Sequence, residues 1–207
     1  MAASQYSLIG NLVALRPLAR EDAAALVAAA RDGDAWRTVY TQIPAELSAA
    51  EAYIEAALRA RDTGESMPFA TTLREDGRVV GSTRYCRIEP AHRKREIGYT
   101  WIGGSWQRTF VNTEAKYLML RHAFEGLGCQ RVQLQTDELN QQSRRAIERL
   151  GARLEGILRN DRIMPDGRRR HSAMYSIVDE EWPQVRARLE AAMRQRGVEP
   201  AMELAAG

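Results

Sequence analysis

The sequence predicts a single mixed α/β (α+β) domain, a central and mostly antiparallel sheet of about seven strands flanked by helices, and three observations carry that prediction. Alternating segments flank Asp-Gly turns at Glu75-Asp76-Gly77 and Pro165-Asp166-Gly167, the pattern of antiparallel hairpins. Between Arg95 and Thr136 a strand, a long apolar helix and a second strand follow one another, which implies a crossover and one parallel pair. The 207 residues suit one domain, taken as residues 1–196, with the tail from Gly197 to Gly207 disordered.

In chain order, Asn11 to Leu15 is a short strand closed by Arg16-Pro17, and Arg20 to Arg31 is an alanine-rich helix. Ser48-Ala-Ala-Glu51 reads as a capping box opening a helix that Gly64 stops. Phe69 to Leu73 and Val79 to Ile88 form a hairpin. In Arg95 to Ile102 the alternation sets Glu96, Gly98 and Thr100 on one face and Ile97, Tyr99 and Trp101 on the other. Thr113 to Leu127 is a helix buried over more than half its girth, and Arg131 to Thr136 is the strand after it. Asn140 caps a short helix ending at Gly151. Strands near Arg153 to Ile163 and His171 to Val178 make the last hairpin, and Asp179 caps a charged helix from Glu180 to Gln195, long enough to support a homodimer.

Composition narrows the function. Apolar residues make up 44% and charged residues 28%, and no apolar run is long enough to span a bilayer. The N-terminus lacks a basic region followed by an apolar core, so a cytoplasmic location is expected, with no membrane partner. Cys86 and Cys129 read as core residues, and His92, His122 and His171 are too scattered for a metal site. A net charge of +3 and a pI near 9.1 agree with a small polyanion and do not call for nucleic acid. The Arg168-Arg169-Arg170 cluster reads as a solvated hairpin tip.

The chain is organised around Trp106 to Lys116, a turn between a strand and a helix that Asn112 is placed to cap. Amides at a helix start have no partner within the helix and favour an anion such as a phosphate. The helix after Asn140 starts at the same end of the parallel pair, so two helix N-termini converge on one crevice.

The order of elements, with Leu15-Arg16-Pro17-Leu18, Val80-Gly81, Glu96-Ile97-Gly98-Tyr99, Asn112-Thr113-Glu114-Ala115, and Asn140 followed by Ser143, resembles the GNAT acetyltransferases of the RimJ/RimL type over roughly residues 10 to 180. The resemblance implies transfer of an acetyl group from acetyl-coenzyme A (acetyl-CoA) to an amine, with coenzyme A as product. It places the diphosphate on Gln107, Arg108, Thr109, Phe110, Val111, Asn112 and Thr113. It runs the pantetheine arm through the splay beside Trp101, Ile102, Asn140 and Ser143. The family's phosphate turn carries glycine where this chain has Phe110 and a small residue where it has Asn112; the Phe110 ring must therefore point away from the phosphates.

An amine attacking a thioester must lose a proton, and the leaving thiolate gains from protonation. Glu96 is the candidate base, directly or through a water, and Ser143 the candidate contact to the thioester sulfur. Tyr99 and Tyr175 read as buried sheet residues, although either is a conceivable proton donor. Trp36, Tyr40 and the arginine hairpin border the acceptor site, which leaves a peptide N-terminus, an amino acid or an aminated antibiotic open. Two other classes remain: a non-catalytic coenzyme A sensor or partner-binding module would bind tightly without turnover, and a nucleic-acid binder would show a steep salt dependence.

Overall fold

The computed structural model describes residues 6–206; the first five residues of the expected domain and the last residue of the tail lie outside the described residues. The strands are β1 (Tyr6–Ile9), β2 (Val13–Pro17), β3 (Ser66–Leu73), β4 (Val79–Glu89), β5 (Lys94–Ile102), β6 (Arg131–Asp137), β7 (Arg153–Ile163), β8 (Arg169–Val178) and β9 (Glu203–Ala206). The α-helices are α1 (Ala23–Arg31), α2 (Leu47–Asp62), α3 (Val111–Arg121), α4 (Gln141–Leu150) and α5 (Trp182–Arg194). One sheet runs β7-β8-β6-β5-β4-β3-β2-β1-β9, antiparallel throughout except for β5 with β6. No described helix is long and apolar enough to cross a membrane.

Among the described residues the expected seven strands are nine. β1 and β9 extend the sheet past β2, and the tail expected to be disordered supplies β9, whose residues 203–206 pair with Ile9 to Tyr6. Both additions are four residues long, too short for alternation to register, and they hold each other through backbone hydrogen bonds.

The sheet is covered on both faces in its middle. α3 and α5 pack on one face around Leu15, Phe69, Tyr85, Leu118 and Leu134, and α1 and α2 on the other around Leu26, Ile54, Ala70 and Trp101. Each residue of β3 is accordingly buried, neighbours such as Phe69 and Ala70 serving opposite cores.

The alternation expected for β5 breaks at Tyr99. Its φ of 53° marks a bulge, and the pairing with β4 shifts by one residue between Ser82↔Trp101 and Arg84↔Gly98. Ile97 therefore faces the α3 core, Trp101 the α1/α2 core, and Tyr99 is 48% exposed rather than buried, its ring 4.1 Å from the Arg84 guanidinium. Gly81 accommodates the bulge, since a side chain there would fall 2.2 Å from the Trp101 carbonyl oxygen.

Helix starts differ from expectation in four places, the first being α1, which begins at Ala23 after a 3₁₀ turn over Arg20–Asp22. α2 begins at Leu47, one residue before the expected Ser48 cap, with no side-chain cap bond. α3 begins at Val111, so Asn112 lies inside its first turn, and the Thr109 hydroxyl accepts the Val111 amide at 3.3 Å instead. Before α5, Asp179–Glu181 forms a 3₁₀ turn in which Glu181, not Asp179, reaches back to the Val178 amide at 3.2 Å. Asn140 does cap α4, accepting the Ser143 amide at 3.0 Å, and Gly151 ends that helix at φ 103°. Before α3 and α5 a neighbour supplied the acceptor that the expected residue could also have supplied, a choice sequence does not resolve.

Glu114 fastens α3 to the β1–β2 turn. Fully buried, it accepts the amides of Asn11, Leu12 and Val13 at 2.7, 2.8 and 2.9 Å. Burial raises its pKa while those three amides pull it back down.

Candidate active site

β5 and β6 pair only at Lys94↔Arg131, Arg95↔Val132 and Glu96↔Gln133, and beyond Glu96 they part. A cleft of about 1150 Å³ fills the gap, lined by the ends of both strands, the start of α3, the start of α4 and the loop from Asp34 to Ile43. The turn leading into α3 is anchored to α1: Asp32 accepts the Ser105 hydroxyl at 2.7 Å and the Ser105 amide at 3.1 Å. The Asn112 and Thr113 amides, in the first turn of α3, have no acceptor among the described residues. Arg108, Arg145 and Arg149 add positive charge to the lining.

The cleft gathers most of the expected residues. Glu96, Trp101, Ile102, Gln107, Arg108, Asn112, Asn140 and Ser143 all line it, and the Gln107 side chain bridges the Ile102 carbonyl at 3.3 Å to Gln142 of α4 at 3.4 Å. Thr109, Phe110 and Val111 line instead a separate pocket of about 380 Å³ beside Leu12 and Trp106, and Thr113 lines neither. Phe110 thus leaves the cleft clear. Its φ of −77° is ordinary, because the left-handed residue of this turn is Arg108 at φ 62°.

Glu96 is 4% exposed. Its Oε2 accepts Gln133 Nε2 at 3.0 Å and lies 3.4 Å from Arg87 Nη1, which leaves Oε1 with only the weakly donating Cys86 thiol beside it. Gly98 keeps the space beside that oxygen open, since a side chain there would fall 3.0 Å from Oε1. The same carboxylate and burial, burial first, push the neighbouring Cys86 thiol up to about 12, which makes it inert.

Tyr40 lines the cleft and Trp36 does not. Tyr175 is fully buried outside it, bonded to Arg144 at 2.9 Å and Glu148 at 2.8 Å, so it is no proton donor here. The arginine cluster is not a solvated tip: Arg168 pairs at 2.6 Å with the fully buried Asp137, and Arg170 is 8% exposed and lines the cleft.

The sequence reading missed Lys116. It is buried in the cleft wall, donating to Thr83 Oγ1 at 3.3 Å and to Thr100 Oγ1, and burial lowers its pKa from 10.5 to about 7. The available signal was its place two residues after Glu114 in a helix buried nearly all round. A folded pKa below the unfolded one means that the unfolded chain binds more protons between about 7 and 10.5, so this lysine's contribution to stability rises with pH across that window. From pH 7 to about pH 9, the wild type should gain about 2 kcal/mol relative to Lys116→Met. Denaturant titrations at both pH values check this, and parallel behaviour of the two proteins would show Lys116 to be solvated.

The sequence profile of the acetyltransferase (GNAT) domain matches residues 13–153. YdaF of Bacillus subtilis, an N-acetyltransferase by name, is 32% identical over 107 residues, which cover 52% of this chain and 57% of YdaF. A GCN5-related N-acetyltransferase structure from Brucella melitensis superposes with a TM-score of 0.83 at 30% identity, covering 92% of this chain and 86% of that one. RimJ of Mycobacterium smegmatis, solved in complex with CoA-disulfide, superposes with a TM-score of 0.76 at 24% identity, covering 93% and 96%. With a matching profile over most of its length and the same fold around a parted parallel pair, the chain belongs to the GNAT acetyltransferase family.

Proposed function

We propose that this acetyltransferase moves the acetyl group of acetyl-CoA onto a primary amine, of a small molecule or a protein N-terminus, by direct attack with both partners bound. The observation that carries this reading is the parting of β5 from β6 directly after Glu96, with the starts of α3 and α4 over the gap. Acetyl-CoA supplies the activated acetyl thioester. The free amides of Asn112 and Thr113 and the charge of Arg108 suit its diphosphate, and Trp101, Ile102 and Asn140 flank the course of the pantetheine arm. CoA-disulfide in the M. smegmatis relative supports the same ligand.

Glu96 Oε1 receives the proton that the amine gives up as the C–N bond forms, directly or through one water. Ser143, in the first turn of α4, lies where its hydroxyl can meet the leaving sulfur. The same reading takes a cytoplasmic protein without membrane or nucleic-acid partners, since two guanidiniums of the arginine triplet turn inward. It also includes a homodimer, which the exposed Leu154, Leu158 and Ile163 of edge strand β7 favour and light scattering would detect.

At acetyl-CoA a hundredfold above its dissociation constant the protein should gain about 2.7 kcal/mol of stability. Thiol release should then follow addition of an amine. Stabilisation with no thiol released by any amine would favour the coenzyme A sensor, and absence of both would overturn the reading.

A further inference from the structure

The face of the sheet that α1 and α2 cover at β4 and β3 continues past Glu96 as a polar floor made by β6, β7 and β8. Gln133 and Gln135 project from β6, Ser172 and Arg170 from β8, and Asp161 and Arg162 from β7. Nearly every charge on this floor is matched. Arg87 pairs with Glu96 at 3.4 Å, Arg168 with Asp137 at 2.6 Å and Arg162 with Asp161 at 3.4 Å, while Gln135 and Ser172 also bond Asp161, at 2.5 and 2.7 Å.

Arg170 is the exception. It is 8% exposed, makes no ion pair and donates no hydrogen bond among the described residues, and its Nε is fully enclosed without a partner. Directly across the β7–β8 ladder stands Arg162, and both side chains line the cleft. Like charges opposite one another destabilise a sheet, and a buried guanidinium with none of its five donors engaged is costly. Burial first, and then the charge of Arg162, depress the Arg170 pKa, outweighing the more weakly felt carboxylates of Asp137, Asp161 and Glu96, none of which bonds it. Such a residue is stabilised by an anion brought from outside, and a planar fork of donors fits a carboxylate or phosphate two bonds at a time.

We infer that the acceptor carries an anionic oxygen group besides its amine, and that Arg170, with Arg162 beside it, binds that group on the floor of the cleft beyond Glu96. The inference rests on the acetyl-transfer reading for the amine, and on the floor alone for the anion. Arg170 thereby determines specificity: the amine meets Glu96 when the anion is seated, and an uncharged analogue leaves the guanidinium unpaired.

The test uses the full chain loaded with coenzyme A, titrated with glycine, β-alanine and 4-aminobutanoate, each against its carboxamide, and with 2-aminoethyl phosphate as the phosphate arm. Acetyl transfer to the same amines is measured in parallel. At least one anionic amine should bind about ten- to a hundredfold more tightly than its neutral counterpart, the ratio expected for charge-assisted hydrogen bonds. The arm with the largest ratio names the anion. Arg170→Met should abolish the preference, Arg162→Met weaken it and Arg170→Lys keep part of it, while ligand-free Arg170→Met should melt no lower than wild type. The inference is overturned if no anionic amine is preferred, or if the preference survives in Arg170→Met or, should that variant not fold, is undiminished in Arg170→Lys. Anion-dependent binding without acetyl transfer would leave this site standing and count against the acetyl-transfer reading instead.

Discussion

Replacing Glu96 by glutamine should lower kcat/KM for acetyl transfer by about 10²- to 10⁴-fold, the usual share of a general base. The substitution keeps the size of the side chain and its contact with Gln133, and it removes the negative charge and with it the capacity of Oε1 to take a proton. Its cost in stability should stay below about 1 kcal/mol, because the ion pair it loses is to Arg87, whose side chain is 44% exposed. Acetyl-CoA binding should persist, since the residues proposed to hold the diphosphate follow β5 and Glu96 lies near its start. Steady-state rates and denaturant unfolding of the same preparation separate these effects. A rate within about threefold of wild type, far below the general-base range, would reduce Glu96 to a structural partner of Arg87.

The largest loss of stability is expected from Glu114→Ala, roughly 3 kcal/mol or more, since three amides, that of the buried Val13 among them, lose one fully buried acceptor together. These bonds join residues 101 to 103 positions apart, so they hold the β1–β2 turn, and through it β9, to α3, whose start lines the cleft. Glu114→Gln retains one oxygen acceptor and should fall between the two. Gly10→Ala should act in the same direction, because its Cβ would meet the Glu114 carboxylate at 2.8 Å. Denaturant midpoints measure all three, and a loss under about 1 kcal/mol for Glu114→Ala would mean that water replaces the carboxylate freely.

What could be read from the sequence was what local chemistry decides. The Asp-Gly turns, the Asn140 cap, the Gly151 stop and the helix between two strands each follow from torsional preference or periodicity, and together they located the cleft. Tyr99 shows where that stops: nothing in a bulky aromatic announces a left-handed residue, and only the shifted pairing with β4 imposes it. Phe110 departs from the family's turn, yet the strain falls on Arg108 and the ring finds its own pocket. Arg170 and Lys116 were hidden for a common reason. Charged residues are read as solvated, and their burial depends on strands and helices far away in the chain.

A crystal structure with acetyl-CoA tests the central claim most directly. The account predicts the diphosphate within hydrogen-bond distance of the Asn112 and Thr113 amides, the pantetheine arm between β5 and β6, and the thioester carbonyl beside Glu96. Coenzyme seated elsewhere, or a gap between β5 and β6 that stays closed to it at saturation, would contradict the account.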